Sequence, residues 1–200
     1  MFLSEKYKLA FYEVPRTGSN SITAALTEFD PESPTVIKRL ETNVMADYHG
    51  YRIPDDFKKP FISLASHRNP YERLWSFWKH RNKNGNPPIF KETSWPRYVQ
   101  WACDPSSVPE IKKAMFDKPI SEMFNCDEID YWLCFESLEK SWREFGENHG
   151  FNLPELKVVR ASRKMGHVHE AYNKELASMV ASRFEADFIR FGYDFDSWKK

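Results

Sequence analysis

Neither sign of charge prevails in this sequence, since Lys plus Arg and Asp plus Glu each number 29. That balance argues against a strongly basic nucleic-acid binder, though not against a local basic pocket. No run approaches the roughly 20 apolar residues needed to cross a bilayer. The first nine residues, with Glu5, Lys6 and Lys8 among them, read as neither a signal peptide nor a membrane anchor. Cysteine is scarce: Cys103, Cys126 and Cys134 are odd in number and lack Cys-x-x-Cys spacing. A disulfide framework and a zinc site are therefore disfavoured, and a reducing compartment is favoured. Repeats, low-complexity tracts and an evident linker are missing too. So are Gly-x-x-x-x-Gly-Lys-Ser/Thr, Gly-x-Gly-x-x-Gly and the nucleophile-elbow pattern. His167-x-His169 is a possible metal pair without an apparent third ligand. What remains is a chain with 41% hydrophobic and 16% aromatic residues, suited to one folded domain over residues 1–200. The expectation is a cytoplasmic, soluble protein with no membrane and no nucleic-acid partner.

The stretch around which the chain is organised is Val14-Pro15-Arg16-Thr17-Gly18-Ser19-Asn20-Ser21-Ile22. An apolar run from Leu9 to Val14 predicts a short buried strand, and Pro15 and Gly18 break it. Ile22, Leu26 and Phe29 then recur with helical spacing. The order strand, tight loop, helix N-terminus brings backbone N–H groups and the positive end of a helix to one point, which suits a phosphate or sulfate. Arg16 adds charge, while Thr17, Ser19, Asn20 and Ser21 add side-chain donors. Alone, the stretch is equally an ordinary strand-to-helix turn; a second anion site downstream shifts the balance.

That second site follows Phe61–Ala65, another short apolar strand. In Ser66-His67-Arg68-Asn69-Pro70-Tyr71-Glu72, Asn69 is placed to cap a helix, Pro70 to open it and Glu72 to sit in its first turn. Arg68 falls at the strand's C-terminal end and Ser76 in the helix's second turn. Basic residues at two such junctions are what an α/β sheet presents at its ligand-binding edge. Between the junctions, 35–59 reads as irregular, with a short helix near Ile37–Leu40. Further on, the pattern predicts an aromatic helix near Trp95–Ala102 and a strand at Tyr131–Phe135. Ser137 is expected to cap a helix that stops at Gly150, Leu156–Val159 to form a last strand, and one long helix to carry Leu176, Val180 and Phe184.

These residues also carry a resemblance. Val14–Ile22 resembles the 5′-phosphosulfate loop of the Golgi-type carbohydrate sulfotransferases, commonly Pro-Lys-Thr-Gly-Gly-Thr-Ser. Arg68-Asn69-Pro70-Tyr71-Glu72-Arg73-Leu74-Trp75-Ser76 resembles their 3′-phosphate motif, in which an Arg and a Ser eight residues later hold that phosphate. Phe135-Glu136-Ser137-Leu138 is similar to the family's Phe-Glu-Asn-Leu, and Asp187-Phe188 with Phe191-Gly192-Tyr193 to its C-terminal ending. The likeness runs from Leu9 to Tyr193.

The resemblance implies transfer of a sulfuryl group from 3′-phosphoadenosine 5′-phosphosulfate (PAPS) to a hydroxyl of a carbohydrate or other small molecule, a tyrosine peptide being less favoured. It implies 3′-phosphoadenosine 5′-phosphate (PAP) as product, no metal, and an α/β/α three-layer sandwich around a central parallel sheet, related to P-loop kinases. On it, Arg16, Thr17, Gly18, Ser19, Asn20 and Ser21 hold the 5′ end and Arg68 and Ser76 the 3′-phosphate. Arg163 and Lys164, in a basic irregular stretch, are candidates to close over the nucleotide, a solvated basic loop being the alternative. Arg16 stands where the family usually has Lys, and tyrosine-sulfating relatives carry Arg. A guanidinium forks onto two oxygens where an ammonium acts as a point charge. Ser19 and Asn20 replace Gly-Thr. The acceptor's proton needs a base, for which His49 is the candidate, with Glu13 and His67 as alternatives. A kinase-like ATP-dependent phosphotransferase and a non-catalytic nucleotide-binding protein are the competing readings. Oligomeric state is not encoded legibly.

Overall fold

The computed structural model describes residues 1–33, 60–84, 88–104, 106, 108, 118–123, 125–157 and 168–199. The irregular stretch expected over 35–59, with its short helix, lies outside them. In chain order the elements are β1 (Phe2–Ser4), β2 (Leu9–Tyr12), α1 (Ser19–Phe29), β3 (Ile62–His67), α2 (Pro70–Asn84), α3 (Trp95–Cys103), β4 (Tyr131–Cys134), α4 (Leu138–His149), α5 (Val168–Ala171), α6 (Lys174–Arg183) and α7 (Glu185–Phe191). They fall into two units, Met1–Arg68 with Met123–Ala161, and Asn69–Glu122 with Ser162–Lys200.

The first unit holds the sheet, ordered β1-β2-β3-β4. β2, β3 and β4 run parallel, whereas β1 pairs antiparallel with β2. The sheet is therefore mixed, not wholly parallel as expected: β1 folds straight back on β2 and needs no crossover. Phe2, Phe11, Leu64 and Tyr131 line up across the four strands. Because side chains alternate, this row and its i±2 neighbours Leu9 and Leu133 share one face. Ile22, Ala25 and Leu26 of α1 and Trp142 and Phe145 of α4 bury themselves in the same core. The β3–β4 register is pinned at its start, where the Ser63 N–H donates to the Asp130 carboxylate (2.7 Å) and the Asp130 N–H to the Ser63 hydroxyl (2.9 Å). Gly150, at φ 67°, ends α4 as expected. The expected last strand is absent at Leu156 and Lys157, and Val158 and Val159 lie outside the described residues.

The second unit is helical. Asn69 caps α2 as its sequence predicts, its side-chain oxygen accepting the Tyr71 N–H at 3.0 Å. Tyr71, Leu74 and Trp75 then join Trp95, Tyr98 and Val99 of α3 and Val180 of α6 in one core. Where one long C-terminal helix was expected, two occur. The break is at Phe184 (φ −109°, ψ 17°), without glycine or proline. Tertiary anchors flank it: Arg183 pairs with Glu122, and the buried Asp187 carboxylate accepts the N–H groups of Ile120 (2.6 Å) and Ser121 (2.9 Å). Among the described residues no helix is long and apolar enough to cross a membrane.

Candidate functional site

At the C-terminal ends of the parallel strands of the first unit, three pieces of chain meet: the loop after β2, the end of β3, and the turn after β4. The loop owes its shape to two left-handed residues, Arg16 (φ 70°) and Gly18 (φ 85°). Between them Thr17 is fully buried. Its hydroxyl donates to Val14 O at 2.7 Å, so the Ser66 hydroxyl, 2.6 Å away on β3, must donate to it. That hydroxyl thus braces the loop against the sheet.

Gly18 occupies the N-cap position of α1. A Cβ there would lie 2.9 Å from Leu138 Cδ2 and 3.1 Å from Phe135 Cδ2. Gly150 is a natural control, with φ at 67° and nothing within 4 Å of its would-be Cβ. Gly150→Ala is expected to cost about 1–2 kcal/mol for the left-handed backbone alone. Gly18→Ala should cost about 2–4 kcal/mol, because overpacking adds to the backbone strain. Urea unfolding of the two variants checks this, and equal losses would mean that the Phe135–Leu138 turn yields freely.

α1 begins with Ser19, Asn20 and Ser21, has no acidic residue in its first turn and no side-chain cap. The first N–H groups of a helix have no partner within it. Ser19 and Ser21 are half-exposed and Asn20 is exposed at the positive end of α1, where the Ser21 N–H turns back to Gly18 O at 2.9 Å. Arg16 is half-exposed on the same loop. This donor set has the chemistry for a doubly charged phosphate or phosphosulfate.

Arg68 follows β3. Its guanidinium is stacked on the Phe135 ring, 4.1 Å from carbon to centroid, and its Nη1 donates to Arg16 O at a long 3.4 Å. The loop and the arginine of the second motif are thus neighbours in space. Ser76 lies in the second turn of α2, buried in the second unit.

Of the three base candidates, His49 lies outside the described residues, and so do Arg163 and Lys164, the residues expected over the nucleotide. Glu13, at the end of β2, has its carboxylate engaged by the Thr23 hydroxyl at 3.2 Å. His67 is buried on the sheet face opposite Ser66, edge-on to Trp132, and burial lowers its pKa to about 4. It is neutral at pH 7, but too weak to hold a proton well. Of His167 and His169, considered as a metal pair without a third ligand, His167 lies outside the described residues, and His169 Nδ1 lies 3.2 Å from Trp198 O. Among the described residues no cluster of His, Cys, Asp and Glu could hold a metal ion.

Sequence reasoning assigned no site role to Ser66, Phe135 or Leu138, noting Phe135 only as a strand end and, with Leu138, within a likeness. Their parts come from contacts across the chain, which leave no local pattern.

The model of the Sulfotransferase family fits residues 1–194. No curated protein and no solved structure matches significantly.

Proposed function

Because the chain belongs to the sulfotransferase family, an enzyme of sulfate transfer, we propose that its donor is PAPS and its acceptor a hydroxyl of a carbohydrate or other small molecule. The observation that supports this most is the braced loop at Arg16–Ser21, which offers a half-exposed guanidinium and a helix N-terminus to one anion. In this reading the loop takes the 5′-phosphosulfate, and Arg68 and Ser76 take the 3′-phosphate. Arg163 and Lys164 cover the nucleotide. The layout proposed with it is the three-layer sandwich of the P-loop-like nucleotide fold.

When bound, the donor supplies an activated sulfuryl group whose departure leaves charge on a phosphate oxygen. Arg16 and the first N–H groups of α1 neutralise that charge, which needs no reorganisation at the moment of transfer. The loop holds the sulfur in line with the incoming oxygen. His49 takes the proton from the acceptor hydroxyl as the new S–O bond forms.

A transfer assay with labelled PAPS over sugars, phenols and tyrosine peptides tests the reaction, and equilibrium binding of PAP against ATP tests the donor. Turnover with ATP and magnesium in place of PAPS would overturn the reading in favour of a kinase-like enzyme. Tight PAP binding without transfer to any acceptor would point to a non-catalytic nucleotide-binding protein. The 3′ assignment has its own test. Losing a charge-assisted contact costs about 1.5–3 kcal/mol, so Arg68→Ala should weaken PAP roughly ten- to a hundredfold. Adenosine 5′-phosphosulfate, which lacks the 3′-phosphate, should bind almost as before, since the tie from Arg68 to the loop is long. Equal losses for both ligands would remove Arg68 from the 3′ site.

A further inference from the structure

Phe135 touches both halves of the candidate site at once. It follows β4 and opens the single 3₁₀ turn Phe135–Ser137 that leads into α4. That turn presents the ring's face to the Arg68 guanidinium at 4.1 Å and its edge to Gly18, whose Cβ would lie 3.1 and 3.3 Å from two ring atoms. Arg68 is only 5% exposed. A long arginine side chain loses rotamer freedom when it grips an anion. Where a ring face already holds the guanidinium plane, that loss is not charged to binding, and the pair is attracted through the ring quadrupole. An aliphatic residue could fill the same volume against Gly18 but has no such face.

We propose that Phe135 is a positioning residue for Arg68: its ring sets the guanidinium in the plane that receives the donor's 3′-phosphate, while its edge closes the loop at Gly18. This rests on the reading of Arg68 given above. It assigns to the turn after β4 a part in donor selection, since only a donor with a 3′-phosphate gains from a preset Arg68.

The test compares Phe135→Leu, Phe135→Tyr and Arg68→Ala by calorimetric binding of PAP and adenosine 5′-phosphosulfate. Phe135→Leu should weaken PAP by about 3–30-fold, the scale of a cation–π contact, and leave adenosine 5′-phosphosulfate within about twofold. Phe135→Tyr, which keeps the ring face, should restore PAP affinity. A merely structural role would weaken both ligands together in Phe135→Leu, and that outcome overturns the proposal. If Arg68→Ala changes the PAP preference and Phe135→Leu does not, the 3′ assignment stands and the role of Phe135 falls. If Arg68→Ala itself leaves the preference unchanged, the assignment has failed and takes the proposal with it. Should Phe135→Leu not fold, NMR of the ligand-free parent decides. Arg68 side-chain protons, identified by their loss in Arg68→Lys, should be shifted upfield by the ring current, and unshifted signals overturn the stacking on which the proposal stands.

Discussion

Arg16→Ala should lower kcat by roughly 10²–10³-fold, the scale lost when one preorganised donor is removed from a developing oxyanion. The residue is half-exposed at the tip of the braced loop, in the left-handed region at φ 70°. That backbone supplies a control which separates charge from strain. Arg16→Gly relieves a left-handed penalty of about 1–2 kcal/mol and so should fold at least as stably as Arg16→Ala, yet be equally inactive. Arg16→Lys keeps the charge but not the fork, and should recover most of the loss if a point charge suffices for the leaving oxygen. Single-turnover transfer from labelled PAPS, to an acceptor found in the screen, measures all three. If Arg16→Gly retains more than about a tenth of the parent rate, charge at this position does not serve the leaving group.

His49→Ala is expected to lose roughly 10²–10⁴-fold in rate, as for removal of a general base, with folding and PAP affinity unchanged. Glu13 is held by Thr23, and His67 is buried on the opposite face of the sheet with its pKa near 4. An imidazole near its ordinary value, about 6.5, is mostly neutral at pH 7 and can accept the proton as sulfur arrives. The sign follows directly. Protonation of His49 abolishes the base, so parent activity should fall toward acid pH. The acidic limb should vanish in the variant, leaving a low, flat rate. A variant with most of its activity and an unchanged acidic limb would return the role to another group.

Much of the scaffold was legible because its signals are local. Asn69 and Pro70 mark the start of α2 within two residues, and Asn69 does cap it. β2, β3 and β4 are short apolar runs closed by polar residues or proline, and the structure has strands at all three. β1 was not legible. Three residues are too few to show a period, and Phe2–Ser4 becomes a strand only because β2 offers it an edge. The break at Phe184 was hidden for a related reason. Nothing in Arg183-Phe184-Glu185 interrupts a helix, and the anchors on Glu122, Ile120 and Ser121 are set by tertiary structure. In the candidate site, the loop and Arg68 could be picked out by residue type. Ser66 behind Thr17, and Phe135 beneath Arg68, could not, because each is joined to its partner only after the sheet has formed.

The hydroxyl pair of Thr17 and Ser66 spans 49 residues, and the Ser63–Asp130 clasp that registers β3 on β4 spans 67. Closing loops of that length is paid for in chain entropy before any contact rewards it, and topologies rich in such pairings fold slowly. A chain emerging from the ribosome therefore passes through a long interval with both anion motifs already synthesised and no site. Until β4 is in register, Gly18 has no Leu138 or Phe135 against it and Arg68 has no ring beneath it. Competence to grip an anion belongs to the last stage of assembly, so in refolding it should appear together with the final native population and not with the first helices.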